Sequence, residues 1–240
     1  MPKITVAMIT LNEERAVEKV IRDIRSATAG GDCEILVVDS SKDRTPEIAA
    51  ALGARVVRQF PPKGYGLAMI RALKEAAGDV VVTLDCDDTY PADRIREIAE
   101  TVLSGRADLV NASRLELRPA AMPFPNYLAN WLFAAISRLL LGVKTTDVHS
   151  GMRAYRRTIL ETVDFNPNGP ALPVELLLKP AVLGYRVSEV FIPYAERIGA
   201  TTLNRWASTV WTFRRVLNLV PLRFSRLAPG VARAGIVRSR

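Results

Sequence analysis

Four short apolar runs, Ile4–Ile9, Glu34–Asp39, Ala54–Arg58 and Val80–Leu84, read as strands, and a helical segment separates each from the next. Glu13–Ile24 carries Val17, Val20, Ile21 and Ile24 at helical spacing. Thr45–Leu52 opens with Pro46 in its first turn, where the missing N–H is harmless, and stops at Gly53. Gly66–Ala77 ends at Gly78. Strands joined by helices of this length force right-handed crossovers, so the expected class is α/β, with a Rossmann-like, mainly parallel sheet covered by helices on both faces. The carboxyl ends of such strands share one edge, the edge where open α/β sheets bind ligands.

That edge is polar: the strands run out into Thr10 and Asn12, Asp39, Gln59, and then Asp85 and Asp87. The stretch Val80–Pro91 places Asp85, Asp87 and Asp88 within four residues. Carboxylates so crowded repel unless a cation holds them, and oxygen-only ligands suit Mg²⁺ or Mn²⁺ with substrate phosphates completing the shell. A plain strand stop is the competing reading, with Asp88 and Thr89 as turn or cap residues before the helix that Pro91 opens. This run alone does not separate the two. Asp39 is placed to accept hydrogen bonds from a nucleoside base or ribose, or else to form an Asx-type turn. Lys63-Gly64-Tyr65-Gly66 precedes a helix and could approach a phosphate, without the P-loop or Rossmann glycine spacing.

Beyond residue 90, Ile95–Leu103, Leu172–Leu183 and Leu203–Leu219 read as helices, the last amphipathic, and Leu109–Ser113 and Tyr185–Ile192 as strands. Met122–Leu141 is apolar but interrupted by Asn126, Asn130, Ser137 and Arg138, short of the roughly 20 unbroken apolar residues of a spanning helix. A packed or interfacial helix is expected. Hydrophobic residues make up 49% and charged residues 24% of the 240, which argues for an ordered domain. No cationic start, apolar core and cleavage site opens the chain, so a cytoplasmic location is expected. Cys33 and Cys86 give neither a disulfide framework nor a metal spacing. The net charge is +8, yet nine arginines and no acid follow Glu196, leaving residues 1–196 at −1. Trp206, Trp211, Phe213, Leu217 and Phe224 interleave with those arginines. That mixture favours an anionic membrane surface, met peripherally from the inner face, over nucleic acid.

Taken in order, the motifs resemble the inverting glycosyltransferases of family 2. Thr10-Leu11-Asn12-Glu13-Glu14 is similar to their opening Thr-Leu-Asn-Glu-Glu, with Ile9 in place of the usual proline. Val37-Val38-Asp39-Ser40-Ser41-Lys42-Asp43-Arg44-Thr45 resembles Val-Val-Asp-Asp-Gly-Ser-x-Asp-x-Thr. Lys63-Gly64 and Gly66 match a Lys-Gly-x-Gly loop, and Asp85-Cys86-Asp87 an Asp-x-Asp metal signature. Asn111-Ala112-Ser113-Arg114 and Asp147-Val148-His149-Ser150-Gly151-Met152-Arg153 resemble motifs of dolichyl- or polyprenyl-phosphate sugar synthases. Glu175, Glu189, Arg197 and Gly199 also fall on that pattern, Glu189 in a structural role. The arginine usual at the start of the acceptor-side helix is missing near Asn126–Asn130, and Thr201-Thr202-Leu203 lacks the usual lysine.

The resemblance implies the GT-A fold over residues 1–200, a nucleotide-sugar half at 1–113 and an acceptor half at 114–200, with an amphipathic basic extension at 201–240. It implies that Thr10, Asn12, Glu14, Asp39, Lys63 and Asp85 serve the nucleotide sugar and that Asp87, with Asp85 or Thr89, holds Mg²⁺ or Mn²⁺. Expected chemistry is one in-line displacement of a hexose from a GDP- or UDP-sugar onto a polyprenyl or dolichyl phosphate. Arg114 and Arg153 are expected to orient that phosphate. A hydroxyl acceptor would instead need Asp147 or Glu175 as base. His149, the sole histidine, is expected to make a loop hydrogen bond. A non-catalytic nucleotide-sugar or membrane-binding module is the rival from another class.

Overall fold

The computed structural model describes residues 3–198 and 205–227. The first half follows the expected alternation: β1 (Ile4–Thr10), α1 (Val17–Ala27), β2 (Cys33–Asp39), α2 (Thr45–Ala51), β3 (Arg55–Arg58), α3 (Tyr65–Glu75) and β4 (Val80–Thr83). A single 3₁₀ turn at Ala92–Arg94 leads into α4 (Ile95–Leu103) and β5 (Leu109–Ser113). The second half adds α5 (Phe124–Leu141), β6 (Arg153–Arg156), α6 (Arg157–Thr162), α7 (Leu172–Leu183), β7 (Val187–Phe191) and α8 (Arg205–Leu227). Residues 203–204 of the expected final helix, Gly199, Thr201 and the arginine-bearing stretch 228–240 lie outside the described residues.

The seven strands make one sheet in the order β3-β2-β1-β4-β6-β5-β7. Neighbours pair in parallel except β6, which runs antiparallel to both β4 and β5. The sheet is therefore mainly parallel, as expected, with one reversed strand the sequence reading did not find. Arg153-Ala154-Tyr155-Arg156 carries a charge at each end of four residues, where a buried strand would ordinarily be apolar. Its arginines are accommodated by local acceptors, Arg156 by Asp108 and the carbonyls of Val102 and Ala107.

Alternating side chains of the central strands feed two cores. Val6, Met8, Val37 and Val82 pack under α1, α2 and α4, whereas Ala7, Leu36, Val38 and Val81 pack under α3, α5, α7 and α8. Register decides what meets at the ligand edge: Thr10 lies beside Asp39, and Asp39 beside Arg58. Thr83 pairs with Arg153, so continuing the antiparallel ladder by two residues brings Asp85 opposite Gly151. A Cβ on Gly66, the second glycine of the Lys-Gly-x-Gly loop, would lie 1.8 Å from the Pro167 carbonyl oxygen. That glycine serves the contact between α3 and the 165–169 loop. Gly64, at φ +93°, makes the turn instead.

The last helix divides between core and surface. Thr212, Arg215, Val216 and Leu219 form its buried face, while Trp206, Phe213 and Phe224 from its apolar stripe remain exposed.

Candidate active site

Three strand ends build the donor edge. Asp39 is fully buried, and its carboxylate accepts from the Thr10 hydroxyl (2.7 Å), the Ser41 hydroxyl (2.6 Å) and the Ser41 N–H (3.1 Å). Arg58 pairs with Oδ2, the oxygen that also accepts the Ser41 N–H, while both hydroxyls meet Oδ1. These contacts account for the roughly four acceptor positions a carboxylate offers. Asn12, in the left-handed region at φ 60°, gives its N–H to Ser41 Oγ (2.7 Å) and takes that of Lys42 on Oδ1 (2.9 Å). Glu14 accepts from the Arg44 N–H at 3.1 Å. Asn12 and Glu14 thus zip the loop after β1 to the loop after β2. The serines that depart from the family pattern have defined work: Ser41 caps Asp39, and the Ser40 hydroxyl donates to the Gln59 carbonyl (2.8 Å). Lys63 is exposed on its loop.

The acids after β4 crowd as expected, and Glu13 joins them. Burial first, and then the charge of Asp87, push the Glu13 carboxyl up to about 7. The same two causes, in the same order, raise Asp85 to about 6. Asp85 lies against Gly151, where a Cβ would come within 2.7 Å of its Oδ2. Asp87 is 2% exposed; Thr89 holds its Oδ1 through the hydroxyl (2.6 Å) and N–H (3.2 Å). Its Oδ2 is buried without a hydrogen-bond donor and is met only by the close ionic contact of Arg197 at 2.6 Å. Asp88, at φ 62°, turns away to Lys19 (2.7 Å) and serves the turn. Sequence reading quoted Glu13 in its motif without giving it a role, although its place on the same strand-end edge was signal enough.

Among the described residues no three metal-binding side chains gather tightly enough to hold an ion alone. A divalent cation nevertheless fits these residues. A buried carboxylate oxygen met only by the movable Arg197, and two acids pushed toward protonation by burial and by Asp87, leave room for positive charge, and magnesium-type sites draw further ligands from phosphate and water.

The segment after β7 closes over this loop. Ala195 N–H donates to the Thr89 carbonyl (3.1 Å) and Ile198 N–H to that of Asp87 (3.0 Å). Tyr194 meets Tyr90 edge to face, with the Arg114 guanidinium 5.0 Å from its ring centre.

On the acceptor side the structure redirects several expectations. Arg114 forms a buried bidentate pair with Asp147 at 2.6 and 2.9 Å. Burial pushes the Asp147 carboxyl up, but the Arg114 charge and hydrogen bonds outweigh it and hold the group below the usual range. A carboxylate so held is a poor base. Arg153 is 1% exposed and donates to Asn111 Oδ1 (2.8 Å) and to the Val148 and Pro173 carbonyls, so it braces β5 and the loops and cannot reach a phosphate. Glu175, 5% exposed, is paired with Arg215 of α8 and Lys179. Glu189 ties β7 to Asn111, Thr145 and Thr146, the structural role expected of it.

Between residues 114–121 and 191–196 lies a cleft of about 670 Å³, bordered by Leu117, Arg118, Phe191, Tyr194 and Glu196. Among the described residues no carboxylate pairs with Arg118, whose guanidinium lies 6.0 Å from the Phe124 ring centre. The sequence reading passed over Arg118 because no motif surrounds it.

A sheet of this order with an Asp-x-Asp loop after its fourth strand has the architecture of the GT-A glycosyltransferases. A profile described as glycosyl transferase family 2 matches residues 5–164, and the chain belongs to that family. The dolichyl-phosphate hexose transferase of Haloferax volcanii is 42% identical over 204 residues, 85% of this chain and 88% of that protein. The dolichol-phosphate mannosyltransferase of Pyrococcus furiosus is 34% identical over 187 residues, 74% of this chain and 53% of that protein, so the match spans about half of that relative. Among solved structures, glucosyl-3-phosphoglycerate synthase from Mycobacterium tuberculosis in complex with Mn²⁺, UDP and glucosyl-3-phosphoglycerate is similar at TM-score 0.71 and 27% identity, covering 92% of this chain and 80% of that one.

His149 makes the expected loop hydrogen bonds. Its Nδ1–H donates to Asn130 Oδ1 (2.6 Å) and Nε2 accepts from the Thr212 hydroxyl (2.9 Å), joining α5 to α8. Burial lowers its pKa from 6.5 to about 4, so the fold favours the neutral ring. Protonation then opposes folding as pH falls from 6.5 through 4. Urea unfolding at pH 7 and pH 4.5 is expected to show a loss of about 2–3 kcal/mol attributable to this group, absent from a non-titrating His149→Gln variant. Equal acid losses in both proteins would refute it.

Proposed function

We propose that the chain transfers a hexose, with inversion and with a divalent cation, from a GDP- or UDP-sugar to a polyprenyl or dolichyl phosphate. The reaction runs at an anionic membrane surface on the cytoplasmic side. The observation that carries this is the crowding of Glu13 and Asp85, both raised by burial and by Asp87, around a buried Asp87 oxygen that only Arg197 meets, beside a separate cleft open at Arg118. The likeness to a dolichyl-phosphate hexose transferase and a dolichol-phosphate mannosyltransferase supports the acceptor. The Mn²⁺ and UDP bound by the structural relative support the cation and the donor class.

In this reading Thr10, Asn12 and Glu14 shape the floor beneath the nucleoside, and Asp39 meets base or ribose once the half-exposed Arg58 swings aside. Lys63 reaches the diphosphate from its loop. Asp87, assisted by Asp85, holds Mg²⁺ or Mn²⁺; Thr89 fixes one oxygen of Asp87 and leaves the other to the ion. When bound, the ion offsets charge developing on the departing diphosphate. Arg197 must first leave Asp87, and freed beside the loop it can follow the diphosphate.

An oxygen of the acceptor phosphate bonds to the anomeric carbon as the bond to the diphosphate oxygen breaks. A phosphate monoester is already anionic near neutral pH and needs no base. That agrees with Asp147 and Glu175 both being held in ion pairs. Arg118 takes the orienting role that Arg153 is too buried to perform, and Arg114 supports the cleft wall through Tyr194. Glu116 and Glu196, which border the cleft, support one other reading, a hydroxyl acceptor.

Incubating the purified chain with nucleotide sugars and Mn²⁺, with and without polyprenyl phosphate, and measuring nucleoside diphosphate release tests the acceptor. Release should need the lipid phosphate, and Asp87→Asn should lower kcat at least about 100-fold, a typical loss for one charge-stabilising group; lipid-independent release sinks the phosphate reading. Arg118→Gln is expected to raise the KM for lipid phosphate about tenfold while leaving that for the nucleotide sugar unchanged; an unchanged lipid KM removes Arg118 from the site. Arg197→Gln should tighten Mn²⁺ binding several-fold without substrate, read by calorimetry. Weaker binding would show that Arg197 does not compete with the cation.

A further inference from the structure

We propose that the outward faces of α5 and α8 together form the surface on which the chain lies against an anionic lipid bilayer. An amphipathic helix that packs on a core ordinarily turns its apolar stripe inward. α8 does so with Val216 and Leu219, which pack into the core beside the polar ties of Thr212 to His149 and Arg215 to Glu175, yet it also presents Trp206 (83% exposed), Val210, Phe213, Leu217 and Phe224 outward. Beside it, α5 buries Asn130, Phe133, Ala134, Ser137 and Leu141 and leaves Leu128, Trp131 and Leu139 outside. Asn130 meets Thr212 through His149, and the Arg223 guanidinium donates to the Leu140 carbonyl (2.7 Å). These two links fix the helices side by side in the same direction. Of the fifteen large apolar side chains exposed among the described residues, ten lie on this pair, too concentrated for ordinary surface scatter.

Charge decides the occupant. Neither helix contains an acid, Arg138 and Arg214 are exposed, and every ionic side chain after Glu196 is arginine. A second copy applied to this face would set arginine against arginine, whereas anionic headgroups match them and tryptophan settles at headgroup depth. Among the described residues no helix is long and apolar enough to cross a membrane, so the pair lies in the interface plane. The loop leading into α5 carries Leu117 and Arg118, which border the cleft, and Arg118 sits over Phe124 at the start of α5. The cleft mouth therefore adjoins the docking face. The placement rests on the lipid-phosphate reading for its purpose, although not for its evidence.

The full chain should co-sediment with vesicles of mixed phosphatidylcholine and phosphatidylglycerol and far less with phosphatidylcholine alone. A Trp131→Asp, Phe213→Asp double variant, both sites being exposed, should keep its thermal melt and its transfer to a short-chain, water-soluble prenyl phosphate while losing vesicle partitioning about tenfold or more. Undiminished vesicle binding by the double variant, or none by the natural chain, overturns the proposal. So does light scattering that finds a dimer which the double variant converts to monomer, because a second copy then covers the face. Vesicle binding lost in the variant, with no transfer to any prenyl phosphate by either protein, supports the docking face and sinks only the acceptor reading.

Discussion

Repulsion among carboxylates at one sheet edge is the constraint around which the site is arranged. Glu13, Asp85 and Asp87 come from the loops after β1 and β4, which lie side by side in the sheet, so folding itself drives like charges together. What surrounds them reads as a set of responses: Thr89 steadies one oxygen of Asp87, Arg197 neutralises the other, and Gly151 leaves room for Asp85. Such crowding opposes stability and persists where binding energy from a ligand repays it.

On the acceptor side, charge has been spent on architecture. Two buried ion pairs, Arg114 with Asp147 and Arg215 with Glu175, pin the 147–151 loop to β5 and α8 to α7. A buried pair contributes little net stability against an apolar alternative, but losing one partner strands the other and costs several kcal/mol, on the order of 3–5. These pairs fix geometry and withdraw four conspicuous groups from chemistry. In the proposed reading, recognition falls to groups at the cleft mouth that carry no motif.

Most of the fold of the first half was legible because periodicity and register share one cause: alternating strands and helices put Thr10, Asp39 and Asp85 on a common edge once the sheet is parallel. Less legible was what depends on long-range pairing. Arg153 reads in a motif as a phosphate ligand, but burial in β6 makes it a brace. The stripe of α8 reads equally as core or surface, because a helical period states that a face exists and not which neighbour it meets. The partners of Thr212 and Arg215, with the burial of Val216 and Leu219 beside them, settle that orientation.

The reversed strand β6 lies hydrogen-bonded between β4, which carries the Asp-x-Asp loop, and β5, which leads to the cleft. The Asp-x-Asp edge and the cleft are therefore stitched to one continuous sheet, and they cannot part like jaws without breaking ladder bonds on both sides of β6. Traffic through the site must pass instead by local movement of the two chain segments that flank the cleft, residues 115–123 and 192–198. Evolution could then reshape the cleft by editing those segments alone, with the carboxylate edge left rigid and untouched.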